Sequence, residues 1–232
     1  MEQYTKQRFR EKQSISQDLV GYIKQQIAEG ELHPGDRIVE TKLAKDLGIS
    51  QTPVREAIRQ LCGEGVITII PNKGPVVRTL TMKDVFEIYS LRAVLEGLAI
   101  RMAIHNASDE DVEQLKAFYE EMKRKEHDPS VETLLPDSLH IHQTIVTLSK
   151  HDRLISTYQS ISFQISIVNR MMSRASTKRK EVEQHAELVE ALASRNPDEA
   201  EMIIRRHIFR TYKEFAKVNT VEHPDYGEDI WF

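Results

Sequence analysis

The sequence predicts a mainly α-helical protein with two domains, and three observations support this. The 232 residues exceed the length of most single domains. Apolar residues recur at helical spacing along most of the chain, whereas β-branched segments typical of strands occur only within residues 66–80. The pattern becomes wholly helical beyond that point. We therefore expect one domain over residues 1–80 and a second over residues 81–232.

Three helices and a β-hairpin are predicted for the first domain. Residues 1–13 are polar and are expected to be frayed, and a turn signal follows Gly30. Ser50 has the residue type and position of an N-cap, and Gly48 those of the preceding C-cap. The predicted elements are helices over 14–30, 40–47 and 50–63 and strands over 66–70 and 76–80.

The second domain is predicted to be a bundle of about six helices without strands. Short segments rich in Asn, Ser, Asp and Pro separate the helical stretches. The tail over residues 218–232 is expected to be irregular. The predicted helices cover residues 82–105, 108–126, 131–149, 152–174, 178–194 and 197–217.

Composition indicates a soluble, cytoplasmic protein. The chain has no run of 18 apolar residues and no apolar leader, so neither a membrane span nor export is expected. The single cysteine, Cys62, excludes an internal disulfide and lies in an apolar pattern that predicts burial. Residues 1–80 contain 12 Lys/Arg and 10 Asp/Glu, a net charge of +2, which leaves −6 on the remainder of a chain whose net charge is −4. The first domain is thus the better candidate for contact with phosphates.

The second and third predicted helices form a candidate helix-turn-helix. Four residues, Ser50, Gln51, Thr52 and Arg55, lie at the polar start of the third helix, the end that enters the major groove in such motifs. Gln can pair with adenine, Arg with guanine, and Ser or Thr with either base or phosphate. The hairpin tip, Lys73-Gly74, would form a wing. The pattern by itself also fits a helical bundle that binds no DNA.

The first domain resembles the GntR family of bacterial repressors over about residues 14–80. The segments that carry the resemblance are 29–40 (EGELHPGDRIVE), 43–44, 47–58 (LGISQTPVREAI), 61, 64–67 and 72–74. It implies contacts to double-stranded operator DNA from Arg37, Ser50, Gln51, Thr52, Pro53, Arg55, Lys73 and Gly74. The family usually has Arg where this chain has Gln51, so a base or phosphate contact is expected to differ.

Three histidines of the second domain form a candidate metal site. His142, His185 and His207 lie on three different predicted helices, and imidazoles from three helices of a bundle can bind one metal ion with positions left open. Ser138 shares the face of His142. Scattered histidines on helices are more often surface or core residues, so spacing alone leaves both interpretations open.

The second domain resembles the all-helical FCD class of GntR regulators over about residues 82–217, in its shorter VanR-type version. The matching positions are Leu91, Arg92, Leu95, Glu96, 141–145 (IHQTI), His185, Val189, Ala191, Leu192, Ala200 and His207. The resemblance implies that the three histidines bind a divalent metal, with Zn or Ni favoured by imidazole ligands. The position of the family's Asp ligand is Ser138, and the adjacent Asp137 points about 100° away on an ideal helix. We therefore expect a three-histidine site completed by water.

Arg92 is the candidate effector-binding residue. The resemblance implies that it faces the cavity and binds a carboxylate with its planar fork. The alternative is an ion pair with Glu96 on the same helix, worth well under ~1 kcal/mol. Asn169, Arg170, Met171 and Met172 could also line a pocket, although core or surface positions are favoured for each.

Taken together, these features predict a ligand-responsive transcriptional regulator, by default a repressor. A homodimer would bind a palindromic operator and sense a small carboxylate through the metal pocket. Two other classes of protein fit the sequence less well. An enzyme with a three-histidine centre would lack a carboxylate beside the histidines, because that position is Ser138, and would leave the helix-turn-helix unexplained. An architectural DNA-binding protein would leave the three histidines unexplained.

Overall fold

A computed structural model describes residues 2–172, 176–219, 227–228 and 230–232. Over these residues the chain forms nine helices and one two-stranded sheet, which confirms the predicted fold class. It divides into two compact units, Met1–Leu80 and Thr81–Phe232. No helix in the described ranges is both long and apolar enough to cross a membrane.

The first unit contains three helices and a hairpin. Its elements are α1 (Glu2–Glu29), α2 (Glu40–Asp46), α3 (Gln51–Gly63), β1 (Ile67–Ile70) and β2 (Gly74–Val77). Helix α1 begins at Glu2 rather than near Ser14, because Glu, Gln, Lys and Arg favour a helix even where no apolar face exists. Helix α3 packs on α1, and its residues Val54, Ala57 and Leu61 are fully buried. Cys62 is half-buried, less than the sequence predicts.

The second strand of the hairpin begins two residues earlier than predicted. Asn72 adopts a left-handed conformation with φ of 63°, and the Lys73 amide donates to the Ile70 carbonyl at 3.1 Å. This tight turn places Gly74 directly opposite Ile70, so pairing starts there rather than at Val76. Turn geometry therefore sets the register of the strands.

The second unit consists of six helices, as predicted. They are α4 (Met82–Asn106), α5 (Asp109–Lys125), α6 (Leu135–Leu148), α7 (Asp152–Met172), α8 (Lys178–Ala193) and α9 (Pro197–Asn219). Capping boxes begin α4, at Thr81 with Asp84, and α5, at Ser108 with Asp111. Helix α6 starts at Leu135 rather than at residue 131, because Pro136 is tolerated only in the first turn of a helix.

Helix α4 lies at the centre of the second unit and packs against α6, α7, α8 and α9. Its buried residues include the charged pair Arg92 and Glu96. Gly97 lets α9 approach closely, since a Cβ added there would lie 2.8 Å from the Arg205 Nε. A helix surrounded on several sides can carry polar side chains into the interior of the bundle, where a site can form.

The end of the chain adds an aromatic contact to this unit. Trp231 is buried, stacks on Tyr212 and meets Phe86 and Phe209 edge-on or tilted. Residues 220–226 and 229 of the predicted irregular tail lie outside the described residues, as do residues 173–174 of the predicted fourth helix of this unit. Trp231 is the single tryptophan of the chain and can therefore report on unfolding of this unit.

The capping box at Thr81 predicts a measurable loss of stability in Thr81→Ala. The side-chain oxygen accepts from the Asp84 amide at 3.2 Å, so its removal leaves a helix-end donor without its partner and lowers the free energy of unfolding by about 1 kcal/mol. Urea unfolding followed by Trp231 fluorescence measures this change. Thr79→Ala, at an exposed position outside the helix, should leave the midpoint unchanged, and an equal shift in both variants would contradict the assignment.

Candidate functional site

The predicted DNA-reading residues lie at the start of α3, mostly on its exposed face. Ser50 is the N-cap in extended conformation, and its side chain makes no capping hydrogen bond. Gln51, Thr52 and Arg55 are exposed. Pro53 is buried, so it shapes the first turn of the helix but does not present its ring to a ligand. The hydroxyl, amide and guanidinium groups at this helix end are those that read base edges and phosphates.

The guanidinium of Arg55 is held by two neighbours. Its Nε donates to Glu40 Oε2 at 2.8 Å, and its Nη2 donates to Gln51 Oε1 at 3.1 Å. Glu40 thus joins α2 to α3 through this contact. These two hydrogen bonds orient Arg55 before any ligand binds. They also place the Gln51 and Arg55 side chains next to each other on the exposed face of α3.

Three of the residues predicted to contact DNA, Arg37, Lys73 and Gly74, lie close together at the hairpin. Lys73 donates from its Nζ to the Gly35 carbonyl at 3.0 Å, and Arg37 forms a backbone bridge to Val76. Gly74 has φ of 85°, and its ideal Cβ would lie 3.9 Å from the Arg37 Nε. The fold therefore brings Arg37 beside the wing tip, although the two are far apart in sequence.

The three predicted histidines meet inside the second unit. His142, His185 and His207 are all buried, and one ring nitrogen from each lies within 4.8 Å of the others. Ring centroids are 4.7 to 5.3 Å apart. Helices α6, α8 and α9 each supply one ring, so the site depends on the packing of the bundle.

A hydrogen-bond acceptor contacts the Nδ1 of each imidazole. His142 Nδ1 lies 2.5 Å from Glu96 Oε2, and His185 Nδ1 lies 2.7 Å from the backbone carbonyl of Glu181. His207 Nδ1 lies 3.3 Å from Glu187 Oε1. His207 Nδ1 also lies 3.4 Å from the donor Arg210 Nη2. At His142 and His185 the neighbouring oxygen can only accept, so their Nδ1 atoms carry the proton and their Nε2 atoms keep a lone pair. This is the arrangement that prepares imidazoles to bind a metal.

Glu96 is fully buried and contacts three side chains. Arg92 Nε donates to its Oε1 at 2.6 Å, Tyr158 donates to Oε1 at 3.0 Å, and His142 donates to Oε2. Burial opposes ionisation of this carboxyl, but Arg92 and His142 outweigh it and lower the pKa of Glu96 to about 2. Burial also lowers the pKa of His142 to about 4 and that of His185 well below its usual value, which keeps both rings neutral.

A cavity of about 230 Å³ opens beside the histidines. Arg92 lines it, and the buried Arg92 Nη2 has no hydrogen-bond partner among the described residues. An unpaired guanidinium nitrogen inside a protein is costly and indicates an absent acceptor. The remaining lining residues are Leu135, Ser138, His142, Asn169, Ser176, Lys180, Glu181, Gln184, His185, His207, Thr211, Glu214 and Lys217.

Sequence reasoning missed the carboxylates of this site. We expected none beside the histidines, but Glu96 contacts His142, and Glu181 lines the cavity and accepts from Ser138 Oγ at 2.6 Å. Both were detectable in principle, because Glu96 is one turn from Arg92 and Glu181 one turn from His185. Asn169 also lines the cavity. Asp137 is correctly excluded from the site, since it pairs with Lys125 at 2.6 Å.

Comparison with known proteins identifies the class. The model of the gntR family of bacterial regulatory proteins matches residues 15–77, and that of the FCD domain matches residues 87–210. The chain belongs to the GntR family, whose members are transcriptional regulators rather than enzymes, and carries an FCD effector domain.

Curated relatives and a solved structure agree with this family. The Nta operon transcriptional regulator of Aminobacter aminovorans is 35% identical over 185 residues, 80% of this chain and 87% of that protein. The "Probable D-xylose utilization operon transcriptional repressor" of Paenarthrobacter nicotinovorans is 28% identical over 84% of this chain and 86% of its own length. E. coli McbR/YncC shares the fold with a TM-score of 0.72, at 20% identity, over 88% of this chain and 98% of that one.

The surface of α3 predicts that Arg55→Ala weakens DNA binding by about 1–3 kcal/mol, the value of a good contact from Arg to a base. The probe is a duplex selected from a random library with the wild-type protein, and fluorescence anisotropy at fixed salt gives the Kd. Arg59→Ala, exposed one turn later on the same helix, is the matched control. Equal affinities for the two variants would contradict the assignment of the recognition surface.

The buried imidazoles predict that the metal-free protein loses stability in mild acid. Because the pKa of His142 is about 4 in the fold against 6.5 in the unfolded chain, the unfolded state binds more protons as the pH falls through 6.5. The free energy of unfolding is therefore highest above pH 6.5 and declines as the pH falls toward 4. The loss from His142 alone is on the order of 2 kcal/mol between pH 7 and pH 5. Glu96, with a pKa of about 2, stays ionised over this range.

Urea unfolding of chelator-treated protein at both pH values tests this expectation. His142→Asn keeps a donor for Glu96 but removes the titrating ring, so its stability should depend less on pH. A wild-type free energy of unfolding that is the same at pH 7 and pH 5 would refute the prediction.

Proposed function

We propose that this regulator is a ligand-responsive repressor that binds operator DNA as a homodimer and senses a small organic acid at a metal ion in its FCD domain. The observation that carries the proposal is the buried group of three imidazoles, each contacted at Nδ1 by an acceptor, next to the unpartnered Arg92 Nη2. The relatives named as regulators of operons, one of them a repressor, support the regulatory part.

DNA recognition is assigned to the start of α3 and the hairpin tip. Gln51, Thr52 and Arg55 would read bases or phosphates in the major groove, while Arg37 and Lys73 would contact the backbone beside it. Ser50 and Gly74 allow the close approach that such contacts need. The exchange of the family's usual Arg for Gln51 would change operator preference.

The metal ion would be held by the Nε2 atoms of His142, His185 and His207. The donor set fits a divalent transition metal such as Zn or Ni, because the three rings are buried and an acceptor contacts the Nδ1 of each. A metal bound there would supply a positive centre that attracts a carboxylate. Water or the effector would complete the coordination.

The effector is proposed to be a small carboxylate. Arg92 lines the cavity and its buried Nη2 has no acceptor among the described residues, while Arg92 Nε remains fixed on Glu96. A guanidinium nitrogen held in this way can donate to a carboxylate oxygen without losing side-chain freedom on binding. A volume of about 230 Å³ favours a small metabolite, since pockets for drug-sized ligands begin at roughly 300 Å³.

Ligand binding would change DNA affinity because the pocket lies between several helices of the second unit. Helices α4, α6, α7, α8 and α9 all contribute lining residues, so a ligand that binds one arrangement of these helices more tightly shifts the population toward it. Leu91, Val94 and Leu98 form an exposed apolar stripe on α4, which supports association of two copies. A helix shift in such a dimer would change the spacing of its two DNA-binding units. We place the protein in the cytoplasm, where operator DNA is available.

Metal binding by the stripped protein tests the proposal. Calorimetric titration of Zn²⁺ or Ni²⁺ into chelator-treated wild type should give about one ion per chain and raise the melting temperature. His185→Ala and His207→Ala should each lose this response, whereas His105→Ala, exposed at the end of α4, should keep it. A wild type that binds neither ion and melts unchanged would exclude the metal centre.

A further inference from the structure

Glu181 is a buried acidic residue without an assigned role. It lies in the first turn of α8, one turn before His185, and only 7% of its surface is exposed. Its carboxylate lines the same cavity as the three imidazoles. Acidic side chains are almost never buried to this extent unless a partner balances their charge.

The partners of this carboxylate in the described part of the chain are neutral. Ser138 Oγ donates to Oε2 at 2.6 Å, and Ser176 Oγ donates to Oε1 through a short hydrogen bond. His185 Nδ1 lies 3.9 Å from Oε2, but that nitrogen donates to the backbone carbonyl of Glu181 at 2.7 Å instead. Hydroxyl groups satisfy the lone pairs but leave the charge uncompensated.

None of the three basic side chains that line the cavity forms an ion pair with Glu181 in the described part of the chain, and one of them, Lys217, is exposed. Arg92 pairs with Glu96 at 2.6 Å, and Lys180 pairs with Glu214 at 2.7 Å. Isolated buried charges are strongly disfavoured and are usually paired or coordinate metals. The geometry around Glu181 therefore indicates a cation in the cavity, beside the histidines.

We propose that Glu181 is the anionic partner of the metal ion held by His142, His185 and His207. Three neutral imidazoles leave both positive charges of a divalent ion uncompensated, and one carboxylate at the cavity wall offsets half of them. Ser138, one turn before His142 on α6, donates to the Glu181 carboxylate at 2.6 Å and so holds it beside the cavity.

This inference rests on the proposed metal centre and refines it. It also implies that Ser138 has a positioning role, because its hydrogen bond determines where the Glu181 carboxylate lies. The site would bind an anionic effector less strongly than three histidines alone, since the ion retains less positive charge.

Zn²⁺ titration of the chelator-treated full-length protein provides the test. Glu181→Gln keeps the size and one acceptor but removes the charge, so Zn²⁺ affinity should fall about 10- to 100-fold. Glu183→Gln, the same substitution at an exposed position two residues later on α8, should bind Zn²⁺ as wild type does. The melting temperature of each metal-free variant shows that it has folded.

A second variant distinguishes a loss of charge from a local disturbance. Ser138→Asp combined with Glu181→Gln returns a carboxylate to the site from α6, and Zn²⁺ affinity should recover to within a few-fold of wild type. Ser138→Asp alone should gain much less, because two carboxylates would then adjoin, and such coupled changes are not additive.

Each outcome is decisive. Equal Zn²⁺ affinity in Glu181→Gln and wild type overturns the inference while leaving the three-histidine centre intact. Weaker binding without recovery in the double variant also overturns it, since the loss would then be structural. If the wild type itself binds no Zn²⁺ or Ni²⁺, the proposed metal centre fails and this role of Glu181 fails with it.

Discussion

The sensing domain depends on one buried carboxylate, that of Glu96. It accepts hydrogen bonds from Arg92 on its own helix, His142 on α6 and Tyr158 on α7. An ionised group with no solvent exposure is stable only if such partners surround it, and loss of one partner of a buried pair costs roughly 3–5 kcal/mol. The same three contacts join α4 to α6 and α7, place the proton on His142 Nδ1 and hold Arg92 Nε. The stability of the domain and the ligand recognition proposed above would therefore depend on the same atoms.

This arrangement gives a physical route from effector to DNA affinity. A ligand that engages Arg92 and the imidazole cluster necessarily acts on α4, α6, α8 and α9, because those helices carry the groups it touches. Helix α4 also presents the apolar stripe of Leu91, Val94 and Leu98. Only the difference in ligand affinity between two helix arrangements can change operator binding, and a site built from several helices is well suited to create that difference.

Sequence patterns predicted the architecture well because they depend on local periodicity. The six helices of the second unit follow from the spacing of apolar residues, and the hairpin of the first follows from its turn residues. The start of α1 depends instead on helix propensity, and the strand register at Gly74 depends on turn geometry, neither of which apolar spacing encodes. The meeting of His142, His185 and His207 was anticipated through a family resemblance. Glu181 was missed because the search for a carboxylate was confined to the face of α6 that carries Ser138 and His142. Residue spacing along one helix does not indicate which side chain of another helix contacts it. The double role of Glu96 was missed for the same reason.

Acceptors at Nδ1 hold His142 and His185 in the tautomer in which Nε2 keeps its lone pair. Long-range ¹H–¹⁵N correlation spectra of chelator-treated protein with ¹⁵N-labelled histidine measure this directly, without any metal or effector. The structure predicts that His142 and His185 carry their proton on Nδ1, donated to Glu96 and to the Glu181 carbonyl. A proton on Nε2 of either ring would contradict the account, since that nitrogen would then have no lone pair for a metal.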